Sequence, residues 1–247
     1  MKLIRALWHG VLWLRQIIFV IYIALLTFIL ALITVILSLL CLPIRIRLIP
    51  AQIWSTLMRW GLVIFLWLRV RIEGEENLLK EPCIYICKHQ SSWETVILHG
   101  LLHNICFVLK EELLNIPLFG QALKVVDSIP IDRKQNLKSF KKILQMGKER
   151  LHSGLSIVIF PEGTRVAIGN YPKFHKTAIT LAKSTGAMVV PVAHNSGCFW
   201  PNKAGLIKPG LVTLSIGQAI SSSELNIDEL NNYCYQWIND KVKQIGG

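Results

Sequence analysis

The first part of the chain is dominated by one long apolar run. No charged residue occurs from Gln16 to Ile44, a stretch of 29 positions. A helix rises about 1.5 Å per residue and a bilayer needs roughly 20 apolar residues, so the run is long enough to cross a membrane with tilt. It is too long for the apolar part of a signal peptide and no small-residue cleavage site follows it. We expect it to end near Pro43.

A second apolar stretch extends from Leu48 to Leu68 and is interrupted by Arg59. Tryptophan, which favours the headgroup level of a bilayer, punctuates it at positions 54, 60 and 67. We predict a second helix that is interfacial, re-entrant or spanning, with the arginine reaching towards water. A long buried core helix is the alternative, which the absence of acidic residues from positions 1–72 disfavours.

The pattern changes after residue 72. Residues 73–77 are polar and predict a linker. Beyond them, short apolar runs that are typical of buried strands alternate with amphipathic stretches that are typical of helices. The predicted strands are Cys83–Cys87, Ile105–Leu109, Ser156–Phe160, Met188–Val192 and Leu211–Ile216. The predicted helices are Ser92–His103, Pro117–Lys124, Lys134–His152, Lys173–Ser184 and Ser223–Val242. The alternation indicates an α/β fold.

Charge and composition add a second signal. The chain is 52% hydrophobic and carries a formal net charge of +12. Residues 1–72 hold eight basic and no acidic residues, whereas residues 73–247 hold 19 basic and 15 acidic ones. The basicity therefore belongs mainly to the apolar segment, which favours anionic lipid over nucleic acid as its partner. Basic residues flank the first run on both sides, so the orientation of the helices stays open. The six cysteines lie mostly in apolar runs and predict reduced, buried thiols.

His89 follows the predicted strand Cys83–Cys87, and Glu94 lies five residues further on. Loops at strand ends commonly carry the chemistry of α/β proteins. If a helix begins just after the histidine, its first turn brings the carboxylate back to the imidazole and makes the other ring nitrogen a better base. The pattern also fits a capping box between Ser91 and Glu94, in which the glutamate serves only the helix start. Both interpretations are open at this point.

Three further segments carry candidate chemistry. Phe160–Arg165 reads FPEGTR and follows a predicted strand, although an ordinary turn with an exposed ion pair is the alternative. Ile129–Arg133 ends in an arginine after a short apolar run. Val189–Ala193 is a buried apolar segment whose Pro191 predicts a sheet edge or a bulge.

Taken in order, these segments resemble the glycerolipid acyltransferases, and within them the bacterial 1-acylglycerol-3-phosphate O-acyltransferases. The resemblance extends from about Glu73 to Ile220 and includes FPEGTR letter for letter. It departs at Glu94, where the family usually has aspartate. It implies a mixed sheet flanked by helices and preceded by a membrane-embedded two-helix segment. Residues 1–72 would then be the anchoring helices and residues 73–247 the catalytic domain.

The resemblance implies transfer of an acyl group from acyl-CoA or acyl-carrier protein to the sn-2 hydroxyl of lysophosphatidate, giving phosphatidic acid. His89 is the expected base and Glu94 its orienting partner. A Gly-x-Ser-x-Gly elbow is absent from the sequence, so we do not expect an acyl-enzyme. The expected substrate-binding residues are Arg133, Glu162, Gly163, Thr164, Arg165, Lys173 and Lys176. Arg133 and Arg165 are the first candidates for binding the phosphate. Lys173 and Lys176 are second candidates, and a solvated helix start is the alternative for them. We expect Glu162 to contact the glycerol backbone or to hold Arg133 or Arg165.

No cofactor, metal ion or nucleic acid is expected. His99 and His103 have metal-like spacing, but no third ligand accompanies them in the sequence, which favours a packing or surface role. The expected partners are the two substrates and membrane lipids. The expected location is the inner, cytoplasmic membrane with the catalytic domain on its cytoplasmic face. The alternatives are a family member with another acceptor, such as glycerol 3-phosphate or another lysolipid, and a catalytically inactive lipid-binding protein.

Overall fold

The computed structural model describes residues 2–40, 42–202 and 205–247, with backbone alone for residues 2–7. The helices are α1 (Lys2–Ser38), α2 (Ile44–Arg47), α3 (Ile49–Leu66), α4 (Trp93–Leu101), α5 (Phe119–Val125), α6 (Asn136–His152), α7 (Thr177–Thr185) and α8 (Ile227–Gln244). The strands are β1 (Leu68–Glu73), β2 (Cys83–Cys87), β3 (Ile105–Lys110), β4 (Ile129–Ile131), β5 (Ser156–Ile159), β6 (Met188–His194) and β7 (Gly210–Ile216). Short 3₁₀ helices cover Glu75–Asn77, Glu111–Asn115 and Ser196–Cys198.

The strands form one mixed sheet in the order β1-β7-β6-β2-β5-β3-β4. Its neighbouring pairs are parallel, except that β6 and β7 run antiparallel. Parallel neighbours need crossover connections, and helices between strands supply them. Every residue of β2 and β5 is buried, because both faces of the central sheet are covered. The predicted α/β fold with a mixed sheet is thereby confirmed.

Two apolar clusters cover the two faces of the sheet. Alternate residues of β2 point to opposite faces, so Ile84 and Ile86 join one cluster while Tyr85 joins the other. The first cluster includes buried residues of α6, α7 and α8. The second contains Trp93 of α4 together with Phe19 of α1 and residues of α3. Helix α1 and most of α3 therefore pack on the same face of the sheet as α4, whereas Ile44, Leu48 and Ala51 contact the other cluster.

Two N-terminal segments, Trp8–Ser38 and Ile44–Leu66, are long and apolar enough to cross a membrane. Large apolar side chains on α1 are exposed along its length, as at Trp13, Val20 and Phe28. A helix with such an exposed apolar surface is typical of a protein in contact with lipid. The first helix ends at Ser38, before the predicted end at Pro43, and Cys41 lies outside the described residues. The five cysteines that the structure does describe are free thiols.

The sheet begins earlier than the sequence pattern predicts. Strand β1 pairs with β7 along its whole length, so the boundary predicted between residues 72 and 73 falls inside a strand. Residues 73–77 are also not a free linker, because they end β1 and form a 3₁₀ turn. At Gly74, φ is +75° and an added Cβ would collide with the carbonyl oxygen of Ile216, so the turn requires glycine. A division into anchor and catalytic domain remains a proposal, with Leu68 as the first residue of the sheet.

Pro191 lies in β6, an interior strand, and not at an edge of the sheet. Its carbonyl accepts the N–H of Gly217 at 2.9 Å. Val192 faces Ile216 and Val189 faces Ile220, so three steps along β6 oppose four steps along the facing segment. The segment that faces β6 therefore contains one extra residue, which forms a β-bulge. The bulge lies beside Pro191, whose backbone nitrogen has no hydrogen to donate.

Candidate active site

The candidate site lies at the carboxyl ends of three neighbouring strands. Strand β2 lies between β6 and β5 and is parallel to both. Because the carboxyl ends of parallel strands meet at one edge of the sheet, the segments that follow β2, β5 and β6 converge there. The first of these segments carries His89 and the second carries FPEGTR. The pairing of β2 with β5 therefore brings together two motifs that are far apart in the sequence.

His89 and Glu94 form a buried pair. The Nδ1 atom of His89 lies 2.9 Å from Oε1 of Glu94, and both side chains are almost completely buried. The imidazole stacks on Phe160 with ring centroids 4.0 Å apart, which fixes its plane. With Nδ1–H donating to the carboxylate, Nε2 keeps a free lone pair. His89 also lines the cavity described below, so its ring can act as a base towards a bound alcohol.

Glu94 also organises the start of α4. Its Oε1 atom accepts the backbone N–H groups of Gln90 at 2.7 Å and Ser91 at 2.9 Å. The hydroxyl of Ser91 accepts the N–H of Trp93 at 2.9 Å and lies 3.0 Å from Glu94 Oε2. These bonds satisfy the N–H of Trp93, the first residue of α4, and those of two residues just before the helix. The capping-type contact and the contact with His89 are thus made by one carboxylate.

The environment of Glu94 favours its charged form. Burial disfavours ionisation, but the imidazoles of His194 and His89 and the N–H of Ser91 outweigh it and lower the pKa of Glu94 to about 2. Burial, in contrast, lowers the pKa of His194, while the charge of Glu94 opposes that change. Glu94 is therefore a carboxylate that can orient His89 and stabilise the imidazolium that forms when the ring takes a proton.

A second buried ion pair lies beside the histidine. Lys88 Nζ is 3.2 Å from Glu162 Oε1, and both side chains are buried. The same oxygen accepts the backbone N–H of His89 at 3.2 Å. Burial raises the pKa of Glu162, while the Lys88 charge opposes that rise. We expected this carboxylate to hold Arg133 or Arg165, but it pairs with Lys88. The buried ammonium group of Lys88 requires a counter-ion, which Glu162 supplies.

A cavity of about 650 Å³ opens over His89. Its apolar part is lined by side chains of α1, α3, α4, β3 and α5, among them Leu30, Trp54 and Leu123. Its polar part carries Arg133, Thr164, Arg165 and Asn202. A volume of this size is typical of sites that enclose an apolar ligand and orient it with a few polar groups.

Arg133 and Arg165 both line the cavity with their charges close enough to interact. Partial burial and the charge of Arg165 lower the pKa of Arg133. In the described part of the chain, neither guanidinium forms an ion pair with a carboxylate. The charge of Glu112 acts on Arg133 without a direct ion pair. Two neighbouring guanidinium groups with no directly paired carboxylate among the described residues are suited to a phosphate, which accepts two hydrogen bonds from each.

The turn that follows β5 directs the FPEGTR side chains. Gly163 has φ of +71° and donates its N–H to the carbonyl of Phe160 at 3.1 Å. A left-handed residue at this position allows a tight turn, after which Thr164 and Arg165 reach the cavity. Space does not require glycine here, because an added Cβ would lie 3.4 Å from the ring of His175, an ordinary van der Waals distance, so the left-handed backbone is the reason for glycine.

Two of the expected phosphate ligands lie elsewhere. Lys173 is exposed and Lys176 forms an ion pair with Asp228 in the first turn of α8. The residues that line the cavity include neither lysine. His99, which we expected to have a packing or surface role, is buried at the cavity wall against Phe107, and burial lowers its pKa to about 4.

Three contributors were missed by sequence reasoning. Lys88, which pairs with Glu162, directly precedes His89. Its position at the end of a predicted strand was the only sequence feature that could have indicated a role in the site. His194 and Ser196 follow from the end of β6, and Ser196 Oγ lies 3.1 Å from Glu94 Oε2. The segment Ala193-His-Asn-Ser196 carries no local motif, so its contact with Glu94 depends on the pairing of β6 with β2.

Comparison with known proteins identifies the family of this chain. The family model described as Acyltransferase matches residues 69–195. A 1-acyl-sn-glycerol-3-phosphate acyltransferase of Pseudomonas aeruginosa is 38% identical over 199 residues, which cover 79% of this chain and 77% of that protein. The chloroplastic enzyme of the same name from Arabidopsis thaliana is 30% identical over 72% of this chain, which spans only 49% of its length.

A solved structure shares the fold. The crystal structure of the 1-acyl-sn-glycerophosphate acyltransferase from Thermotoga maritima superposes with a TM-score of 0.80 and covers 100% of both chains at 20% identity. The family match over residues 69–195 includes the His89 segment, Arg133, FPEGTR and the Pro191 segment. This match and the Pseudomonas relative show that the chain belongs to the acyltransferase family.

Proposed function

We propose that this protein transfers an acyl group from an acyl thioester to the sn-2 hydroxyl of 1-acylglycerol 3-phosphate, with phosphatidic acid as product. The observation that carries the proposal is a buried imidazole, oriented by a carboxylate, at the wall of a cavity lined also by two guanidinium groups, neither of which forms an ion pair with any residue that the structure describes. The names of the relatives from Pseudomonas and Arabidopsis support the same acceptor. The donor is acyl-CoA or acyl-carrier protein.

The proposed chemistry begins with proton removal. Nε2 of His89 takes the proton of the acceptor hydroxyl while that oxygen attacks the thioester carbonyl and a C–O bond forms. The tetrahedral intermediate collapses, the C–S bond breaks, and the thiolate takes the proton from the imidazolium. The products are an ester and a free thiol, and His89 is neutral again. General base catalysis of this type contributes roughly 10²- to 10⁴-fold to the rate.

Glu94 and the arginines have separate proposed roles. Glu94 holds Nδ1 of His89 and stabilises the imidazolium between the two proton transfers. Arg133 and Arg165 bind the phosphate of the acceptor and so place its hydroxyl near the histidine. Gly163 and Thr164 shape the turn between these groups. Glu162 acts through Lys88 and the backbone of His89, since its carboxylate is buried against them.

The N-terminal helices form part of the wall of the proposed substrate site. Side chains of α1 and α3 line the apolar part of the cavity, so an acyl chain in it would lie against the helices that we propose to be embedded in the membrane. Soluble thioester donors arrive from the cytoplasm, which is why we propose the inner membrane with the catalytic domain on its cytoplasmic face. Exposed cations near anionic headgroups contribute about 1 kcal/mol each to such attachment.

An acceptor panel tests this function. The full-length protein in phospholipid vesicles is supplied with acyl-CoA or acyl-carrier protein and with lysophosphatidate, glycerol 3-phosphate or a phosphate-free monoacylglycerol. Ester formation and thiol release are both measured. We expect lysophosphatidate to be the preferred acceptor, with Arg165→Ala raising its KM and leaving the KM of the phosphate-free acceptor unchanged. Activity on the phosphate-free acceptor alone would contradict the proposal.

A further inference from the structure

One hydroxyl from a distant part of the chain completes the environment of Glu94. Ser196 is completely buried, and its Oγ lies 3.1 Å from Glu94 Oε2 and 2.9 Å from the hydroxyl of Ser91. The other donors to the carboxylate belong to residues 89–91, which lie three to five positions before it in the sequence. Ser196 follows β6 and is therefore placed by the sheet and not by the local turn.

The two carboxylate oxygens have different sets of donors. Oε1 receives three: Nδ1–H of His89 and the N–H groups of Gln90 and Ser91. Oε2 faces two hydroxyls, those of Ser91 and Ser196. Each hydroxyl has one proton, and the three oxygens lie within hydrogen-bond distance of one another. Without Ser196, Oε2 would retain a single donor in a buried site, which is costly for a charged group.

His194 fixes the position of this serine. Its Nε2 lies 2.7 Å from the carbonyl oxygen of Lys88, and its Nδ1 lies 3.3 Å from the N–H of Ser196. A carbonyl only accepts and an amide N–H only donates, so the ring is the neutral form with its proton on Nε2. His194 therefore links the backbone beside the base to the backbone of Ser196. Its ring is completely buried and contacts Trp93.

A second hydrogen-bond donor to Oε2 matters more for a glutamate than for an aspartate at position 94. Glutamate has one more rotatable bond than the aspartate of the resembled pattern and loses more freedom when it is fixed. A carboxylate that is held at one oxygen only can rotate and release the other. A catalytic pair is effective when the orienting group is itself locked by neighbouring hydrogen bonds.

We propose that Ser196, presented by His194, is a positioning residue that holds Oε2 of Glu94 so that Oε1 stays on Nδ1 of His89. The inference rests on the acyl transfer proposed above. It assigns Ser196 no contact with substrate, because its hydroxyl is directed at Glu94 and Ser91 and is completely buried.

A double-mutant cycle tests the inference. The rate of lysophosphatidate acylation is measured for the full-length wild type, Ser196→Ala, Glu94→Ala and the double variant. We expect Ser196→Ala to lower kcat about tenfold and to leave KM within about twofold, since the serine acts through the base and not on the substrate. In the Glu94→Ala background the same change is expected to alter kcat by less than about twofold.

Control variants separate positioning from packing. Ser222→Ala removes a serine that is also buried but lies outside this network, and it is expected to leave kcat unchanged. His194→Gln keeps an N–H donor for the Lys88 carbonyl and is expected to retain more kcat than His194→Leu. Far-ultraviolet circular dichroism and thermal unfolding report whether each variant is folded.

The possible outcomes are distinct. An equal loss of kcat from Ser196→Ala in both backgrounds, or no loss in the wild-type background, would overturn the positioning role. A loss carried entirely by KM would also overturn it. If the wild type itself fails to acylate lysophosphatidate, the proposed function is at fault, and the same cycle is then run with whichever acceptor the panel identifies.

Discussion

Glu94 makes two kinds of contact through one carboxylate. Its Oε1 atom accepts N–H groups at the start of α4 and also receives Nδ1–H of His89. The capping interpretation and the orienting interpretation were alternatives in the sequence, and the geometry is compatible with both at once. The carboxylate can serve both because the helix begins immediately after the histidine, so that helix start and base share one turn of chain.

Substitution of Glu94 separates these two interpretations. Glu94→Gln keeps a carbonyl oxygen for the backbone donors but removes the charge that stabilises the imidazolium, so we expect kcat to fall roughly 10²-fold. Glu94→Asp keeps the charge and is expected to retain most of the activity. Steady-state kinetics with lysophosphatidate measures both. Full activity of the glutamine variant would mean that Glu94 serves only the start of the helix.

At the scale of elements, the site depends on which strands are neighbours. The segments after β2, β5 and β6 meet because these strands are adjacent and parallel, and the turn at Gly163 then directs two polar side chains into the cavity. Each motif by itself is a few residues in a loop. Their convergence is a property of the sheet order.

The turn at Gly163 can be tested with a matched glycine. Gly163 and Gly169 have φ of +71° and +80°, so an alanine at either costs roughly 1–2 kcal/mol of left-handed strain. An added Cβ at Gly169 meets nothing within 4 Å and lies outside the cavity lining. We expect both alanine variants to lose similar thermal stability, but only Gly163→Ala to raise the KM for lysophosphatidate. Equal KM values in the two variants would show that this turn does not position the acceptor.

Strands that are buried on both faces were predicted best from the sequence. Strands β2 and β5 are buried on both faces and appear in the sequence as continuous apolar runs, so they were predicted almost residue for residue. Strand β1 was missed because Arg69 and Arg71 interrupt it, although alternation of this kind indicates an edge strand. Strand β4 has only three residues and contains Pro130, which leaves little pattern to detect.

Site residues that lie close together in the sequence were predicted, whereas contacts between distant segments were not. His89, Glu94 and the FPEGTR turn carry local motifs, and the structure brings them together at one end of the sheet. The contribution of Ser196 depends on the pairing of β6 with β2, which no local pattern reveals. The basic cluster from Lys173 to Lys176 also failed to predict the phosphate ligands. Lys176 pairs with Asp228, which lies about 50 residues further along the chain and reaches it only in the folded protein.

At the scale of the whole molecule, the apolar N-terminal segment and the α/β domain share one cavity. Residues of α1 line its apolar end while His89 and the arginines lie at its polar end. The excess of basic residues in positions 1–72 thus accompanies helices that contribute to the proposed substrate site as well as to membrane attachment.

The shared cavity predicts that α1 influences acyl-chain use. Ala31 is buried and lines the cavity, whereas its neighbour Leu32 is exposed and lies outside the lining. Ala31→Phe would fill part of the space and is expected to lower kcat/KM for long acyl chains by roughly tenfold relative to short ones. Leu32→Phe serves as the control and is expected to leave this ratio unchanged. An unchanged ratio for Ala31→Phe would place the chains outside the cavity.

The central claim is that His89 is the base of an acyl transfer to lysophosphatidate. The most direct measurement is kcat for phosphatidate formation by the wild type, His89→Ala and His103→Ala in vesicles, the last serving as an exposed histidine control. We predict that loss of His89 lowers kcat by roughly 10²- to 10⁴-fold while the His103 variant keeps wild-type activity. Undiminished phosphatidate formation by a folded His89→Ala protein would contradict the claim.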